Sequence, residues 1–418
     1  MAQLSDDCFA FGGALMPGAD ALERIRTAPL PLPAIETVAL KDALGRILAA
    51  PLVAARDVPP HDNAAVDGYA VRFADLAAAG ATALAVTGRT AAGHPLGRAL
   101  GAREAIRIFT GAPMPAGADT VLMQEDCREE GGAVTLPPGI KRGANRRRIG
   151  EDVMTGARAL SPGRRLRAQE LGLAAAMGFT ALPVYRRLRV AIFSTGDELR
   201  DPGAALPSGA IYDANRYVLY ALLEGLGAAV TDLGILPDHD SAIREALAAA
   251  AASHDLIISS GGMSTGEEDR VKAAVEAQGR LHFWRLAIKP GRPVAMGQIG
   301  RIPFMGLPGN PVAVMVTFLL LARPVVLRLS GAAVTAPQRF RVTAGFDHKK
   351  RSNRCEYLRA RLVGDVAHGL RAEKFPRDGA GILSSMVESD GLVEIGEGAT
   401  RIVPGDTVAF LPFSELIQ

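Results

Sequence analysis

Apolar positions along this chain change their spacing several times, and each change marks a different kind of structure. Leu15, Leu22 and Ile25 fall roughly on one face of a predicted helix over Ala14–Thr27, which Pro29, Pro31 and Pro33 break. Val38, Leu40, Leu44, Ile47 and Leu48 predict a second helix over Thr37–Ala50. Residues 72–136 hold short β-like runs (ALAVTG, AIRIFTG, TVLMQED, GAVTL) divided by Gly and Pro, which reads as a small all-β unit. From Arg189 strand and helix patterns alternate. LRVAIF, AAVTDLGIL, DLIISSGG and LHFWRLAI are the strands, with helices near Asn215–Leu226, Ser241–Ala252 and Glu268–Gln278 between them. That predicts a doubly wound α/β domain with a parallel sheet. After Gly331 the chain is β-rich again (RFRVTAG, EYLRARLVG, GLVEIG, DTVAFL), which predicts a small barrel or sandwich with no evident chemistry. Val312–Ala322 is almost wholly apolar but covers about half a bilayer and is closed by Arg323-Pro324, so it reads as a buried helix.

Composition narrows the class. At 418 residues the chain exceeds one ordinary core, so two to four domains are expected. It is 48% hydrophobic and 22% charged, with a net charge of +3 and both signs interspersed, which does not suit a general nucleic-acid binder. Cys8, Cys127 and Cys355 match no metal or disulfide spacing and suit a reducing cytoplasm. The start, MAQLSDD, lacks the basic region of a signal peptide.

Candidate chemistry concentrates between His254 and Pro311. Asp255–Ser260 reads as a buried parallel strand that stops at Gly261-Gly262, and ligands of open α/β sheets bind outside such carboxyl ends. Ser264 or Thr265 can cap a following helix whose first turn carries Glu267, Glu268 and Asp269. Free N–H groups at a helix start attract phosphate, but neighbouring carboxylates repel it unless a cation intervenes. A Mg²⁺ shared between carboxylate and phosphates resolves that conflict; dipole complementation alone is the alternative. Lys289-Pro290-Gly291-Arg292-Pro293 forms a rigid basic turn, and Pro308-Gly309-Asn310-Pro311 a helix start with Asn310 as N-cap and Pro311 at the first position. The first strand of the α/β region ends in Ser194-Thr195-Gly196-Asp197-Glu198, adding a second acidic loop at the same sheet edge. Neither GxGxxG nor GxxxxGK[ST] follows that strand. Elsewhere, DVPPHDNAAVDGYAV (57–71) is either a structural turn or a binding loop, Thr110-Gly111-Ala112-Pro113 offers a hydroxyl at a strand end, and GANRRRIGED (143–152) is a basic loop closed by acids.

These segments together resemble the MoeA-type molybdopterin molybdenumtransferases of molybdenum-cofactor synthesis, which share the gephyrin E-domain plan. The motifs that carry the resemblance are DNAAVDGYAV, IFTGAPMPAGADTVLMQED, NRRRIGED, VAIFSTGDEL with IYDANR, SSGGMSTGEED, FWRLAIKPGRP and GLPGNPV. The resemblance implies an elongated, multidomain α/β plus β protein. Residues 28–57 with 139–187 would be a linker and dimerisation unit, 58–138 a small β domain, 10–27 with 188–332 the molybdopterin-binding α/β domain, and 333–418 a β-barrel-like domain. It implies a cytoplasmic homodimer that takes molybdate and adenylylated molybdopterin with Mg²⁺ and releases AMP. Its partners would be a molybdopterin adenylyltransferase and other cofactor-synthesis proteins, with neither nucleic acid nor membrane. The cleft would lie between the α/β domain of one subunit and the small β domain of the other. Asp67, Thr110, Asp152, Glu198, Asp238 and Asp269 would be catalytic, with Glu198 and Asp269 on the metal. Lys289, Arg285, Ser194, Thr195, Gly196, Gly261, Gly262, Ser264, Pro308, Gly309, Asn310 and Pro311 would bind substrate. Asp238 enters only through the resemblance. Departures are Arg285 where the pattern has Lys, His61 in place of an aromatic residue, and Ala64 and Val66 in place of Ser and Met. Two other functions share parts of the pattern: molybdopterin adenylylation and gephyrin-like scaffolding.

Overall fold

The structure is a computed structural model that describes residues 15–28, 30–262, 270–365 and 369–417, without the side chains of 283–285. Four strands of the α/β region lie parallel in the order Ala229–Leu236, Arg189–Thr195, Leu256–Ser260, Ile302–Leu307. Alternate residues of these strands feed two cores. Val190, Ile192, Ile258, Met305 and Leu307 join one cluster, whereas Ala191, Phe193, Ile257 and Phe304 join the other. Strands buried on both faces read as continuous apolar runs, which is why their sequence lacks alternation. Fully burying Phe193 or Phe304 contributes about 2–3 kcal/mol each. The helices Asn215–Gly225, Asp240–Ser253 and Arg270–Glu276 stand close to their predicted positions.

Three local expectations change. LHFWRLAI is not a further parallel strand. Gly279–Arg285 runs antiparallel to Pro293–Ile299, which is antiparallel to Ile302–Leu307, so the last two strands form a meander at the sheet edge. The basic turn therefore does not sit at the carboxyl end of a parallel strand. Instead Ile288–Lys289 leaves the sheet and pairs, parallel, with Cys355–Glu356. The predicted helix over 37–50 is also absent. Ile35–Ala39 is a strand paired antiparallel with Ala181–Tyr185, followed by a single 3₁₀ turn at Leu40–Asp42. Ile35, Thr37 and Val38 are β-branched and favour that pairing once a partner strand is present. Finally, the apolar helix does not stop at Arg323-Pro324. It runs from Pro311 to Leu329, with a π-helical turn at Phe318–Ala322 just before Pro324. Such a turn relaxes the ladder where proline lacks an N–H. This helix is long and apolar enough to cross a membrane, yet 67% of it is buried, and its side chains fill the larger α/β core.

The remaining β regions close differently. Thr120–Met123, Gly68–Val71, Glu104–Ile108, Thr82–Thr90, Ala133–Leu136 and Arg128–Glu130 form one six-stranded sheet in that order, with two small cores of its own. In the C-terminal region Cys355–Asp365 pairs with both Gly369–Lys374 and Gly391–Ile395, and the ring closes through Phe340–Ala344 and Thr407–Pro412. That is a five-stranded barrel, one of the two forms predicted. Its Tyr357, Leu392 and Leu411 enter the larger α/β core, so the barrel and the α/β region share apolar packing.

Candidate active site

The loops that leave the parallel strands and the wall of the barrel enclose a cleft of about 1020 Å³. On the α/β side it is lined by Thr195, Gly196, Glu198, Asp238, Gly261, Gly262, Arg270, Lys289, Pro308, Gly309 and Asn310. Two glycines set its floor. Gly261 and Gly262 have φ of +81° and +65°, and a Cβ on Gly262 would lie 2.5 Å from Val271 Cγ2 and 2.8 Å from Thr195 Oγ1. Only a residue without a side chain lets the backbone face the cleft there. The Ser194, Ser259 and Ser260 hydroxyls at the ends of the two central strands are buried, with no hydrogen-bond partner among the described residues.

Charge is distributed along the cleft. The exposed Glu198 folds back so that its carboxylate covers Gly196, where an added Cβ would come within 2.6 Å of Oε2. Asp238 lies 3.7 Å from Arg270 Nε. Across the cleft, Lys289 Nζ stands 3.5 Å from Glu356 Oε2 with 43% of the lysine side chain exposed. Asn310 precedes the helix beginning at Pro311, as expected, but makes no capping hydrogen bond. Gly309 O, next to it, accepts from Asn215 Nδ2 at 2.7 Å, which ties the IYDANR segment to this wall.

Other expected site residues fall elsewhere. Ser264 and Asp269 lie outside the described residues, as does the side chain of Arg285, whose backbone ends the edge strand opposite Pro293. The joint placement of Glu198 and Asp269 is therefore not part of the described geometry. Pro311 opens its helix and is not among the residues lining the cleft. Asp67 and Thr110 come together away from the cleft. Asp67 Oδ1 accepts from the Thr110 backbone N–H and hydroxyl, each at 2.7 Å, and these bonds, the backbone one first, hold its carboxyl below the usual range. Asp152 is exposed and donates its N–H to Val58 O. Every described lining residue comes from Thr195 onward, so Asp67, Thr110 and Asp152 do not reach this cleft within one chain.

The barrel supplies the residues that the sequence reading missed. Glu356, Arg359 and Asp378 line the cleft, although the C-terminal region was expected to carry no chemistry. Arg359, 4% exposed, donates to Ser385 Oγ and to the Arg377 and Gly379 carbonyls. Glu356 is fully buried. Burial raises its pKa, but hydrogen bonds from His348 and Arg354 outweigh that and hold it below the ordinary carboxyl value. One signal was present: two charges of opposite sign interrupt the otherwise apolar start of CEYLRARL, and charges inside such a run are rarely buried without partners.

Among the described residues no three metal-ligating side chains cluster. Magnesium seldom needs such a cage, since it binds through one or two carboxylates plus substrate phosphates and water. An exposed Glu198 beside glycine-floored backbone fits that donor set.

The chain matches the descriptions "MoeA N-terminal region (domain I and II)" over residues 16–178, "Probable molybdopterin binding domain" over 191–328 and "MoeA C-terminal region (domain IV)" over 341–413. It is 38% identical to the molybdopterin molybdenumtransferase of Haemophilus influenzae over 93% of this chain and 96% of that one. It is 31% identical to molybdopterin molybdenumtransferase 1 of Mycobacterium tuberculosis over 92% and 95%. A solved MoeA protein from Pyrococcus horikoshii superposes with a TM-score of 0.81 at 28% identity, covering 95% of this chain and all of the other. Three family regions in order, matched over nearly the full length of such relatives, place this chain in the MoeA family.

Proposed function

We propose that this protein is a molybdopterin molybdenumtransferase: it accepts adenylylated molybdopterin, hydrolyses the phosphoanhydride to release AMP, and inserts molybdate into the dithiolene. The observation that carries this reading is the cleft itself, acidic at Glu198 and Asp238, basic at Lys289 and Arg359, and floored by backbone at Gly261-Gly262. The full-length similarity to proteins named for that reaction supports it.

Chemically, water adds to one phosphorus of the diphosphate, the P–O bond to the bridging oxygen breaks, and AMP departs while the pterin keeps its own phosphate. The positive φ of Gly261 and Gly262 lets the diphosphate approach the backbone. Mg²⁺, held by Glu198 and Asp269, would neutralise charge between those carboxylates and the phosphate oxygens. Lys289 and Arg285 hold the phosphate or the incoming molybdate as charge-assisted donors. No nucleophilic side chain is required, because water and an oxyanion are the reactants.

The active form in this proposal is a homodimer in the cytoplasm. Leu44, Met154 and Ile35 are 60%, 66% and 59% exposed in the region expected to dimerise, apolar surface that a second subunit would take out of water. In such a dimer Asp67 and Thr110 would come from the partner to position water or molybdate. The test is incubation of the purified protein with adenylylated molybdopterin, molybdate and Mg²⁺, followed by AMP release and activation of a molybdoenzyme. Formation of adenylylated product from ATP and molybdopterin would instead identify the adenylyltransferase, and neither activity would leave the scaffold.

A further inference from the structure

The barrel carries a row of charges that none of the functional reading above uses. It begins at the cleft wall with Asp378, whose Oδ1 lies 2.8 Å from Lys374 Nζ. Lys374 Nζ lies 3.4 Å from His348 Nδ1, and His348 Nε2 lies 2.9 Å from Glu356 Oε2. The same Oε2 is 3.5 Å from Lys289 Nζ, back at the cleft. Signs and donors alternate throughout. An ammonium can only donate, so the arrangement has His348 accepting from Lys374 at Nδ1 and donating to Glu356 from Nε2. The second oxygen, Oε1, is occupied by Arg354 Nε at 2.8 Å. Glu356 is 0% exposed and His348 6%, so neither side chain has room to turn.

The backbone holds the same arrangement. Lys289 is the register partner of Glu356 in the short parallel pair between the α/β region and the barrel, and Glu356 is in turn paired with Ile395 inside the barrel. A lysine stem has four rotatable bonds, whose rotamer freedom a free surface lysine would lose on meeting an anion. One fixed acceptor removes part of that cost beforehand.

Resting on the oxyanion role proposed for Lys289, we propose that Glu356 is a positioning residue for it, held in turn by the His348–Lys374–Asp378 chain of the barrel. Glu356 touches no reacting atom. It presents the lysine ammonium to the cleft, where Glu356 Oε2 is its one hydrogen-bond acceptor among the described residues.

The sign of one measurement separates this from a background charge effect. Glu356 is negative and close to the anion site, so simple electrostatics predicts that Glu356→Gln binds molybdate more tightly. Positioning predicts the reverse. Titration calorimetry of the full-length protein with molybdate alone should show about a tenfold loss of affinity for Glu356→Gln. A comparable loss is expected for Glu356→Asp, which keeps the charge but draws it back by one methylene. Lys289→Met should lose at least as much, and Glu356→Gln with Lys289→Met no more than Lys289→Met alone, because residues acting as one unit are not additive. Tighter or unchanged binding by both Glu356 variants, or losses that add in the double variant, would overturn the proposal. If Glu356→Gln fails to fold, Glu356→Asp and its own double with Lys289→Met decide. Wild-type protein that binds molybdate but releases no AMP from the adenylylated pterin would sink the reaction proposed above and leave this binding series readable. Wild-type protein that binds molybdate no better than Lys289→Met would sink the positioning role.

Discussion

Glu356 and Asp67 are both carboxylates held below their ordinary pKa by hydrogen bonds, and they stand in opposite situations. Glu356 is fully buried, and everything it serves lies within one chain: Lys289 on one side, the barrel on the other. Asp67 is half-buried on the small β sheet, pinned to Thr110, with no described cleft residue facing it. One region is a finished wall; the other is a prepared edge. The difference shows why the two respond differently to mutation. A wall built from two regions of one chain fails in cis, whereas an edge that works against another copy can be supplied in trans.

The largest effect should break the cleft. Glu198→Ala removes the one described carboxylate that folds over Gly196, and AMP release should fall by about 10²–10³-fold with the oligomeric state unchanged. Normal AMP release, measured by chromatography, would remove the proposed metal site. Next comes the edge. Asp67→Ala alone should be severely impaired, but mixed with Glu198→Ala it should recover up to about half of wild-type activity per mixed dimer, since one of its two sites then carries neither lesion. No recovery in mixed oligomers would show that the small β sheet acts within its own chain or not at all. A smaller effect tests the cleft floor. Gly262→Ala forces a Cβ against Val271 and Thr195 at a positive φ, and should cost about 1–3 kcal/mol of stability, read as a lowered urea midpoint together with weaker pterin binding. An unchanged midpoint would mean that the floor can relax.

The smallest effect is a control at the other end of the same strand. Asp255 is partly buried, which raises its pKa, yet hydrogen bonds from Arg186 and Arg189 hold the carboxyl down at about 2. Its folded pKa is depressed, so the stability it contributes is present above the unfolded value near 4 and is lost as pH falls through about 2. Asp255→Asn should flatten the urea midpoint between pH 4 and pH 2, by no more than about 2 kcal/mol, and leave molybdate binding alone. A changed molybdate affinity would mean that the two ends of the strand are coupled.

Much of the lining of the candidate cleft is legible in the sequence. Apolar runs ending in glycine, at Thr195-Gly196 and Ser260-Gly261-Gly262, mark strand ends because such residues cannot continue a buried strand and need φ values that only glycine takes easily. The helix start at Pro311 was readable for the same local reason: proline fixes φ and needs no donor. Asp238 had no local signal, since an aspartate in a PDHD turn looks like any other turn residue.

The order of residues settles what one stretch of chain decides against water: which runs are buried on both faces, where they end, and which turns carry charge. Who meets whom is settled by folding. The edge strand 279–285 turned antiparallel, Ile35–Ala39 became a strand because Ala181–Tyr185 was there to pair with it, and Lys289 found Glu356 in a barrel 67 residues further along. Pairing energy belongs to two segments at once, so no window along one of them contains it. Glu356 and Arg359 could be seen as charges in CEYLRARL; that these two face a cleft rather than solvent depends on the strand register between Ile288–Lys289 and Cys355–Glu356, which exists only in the folded chain.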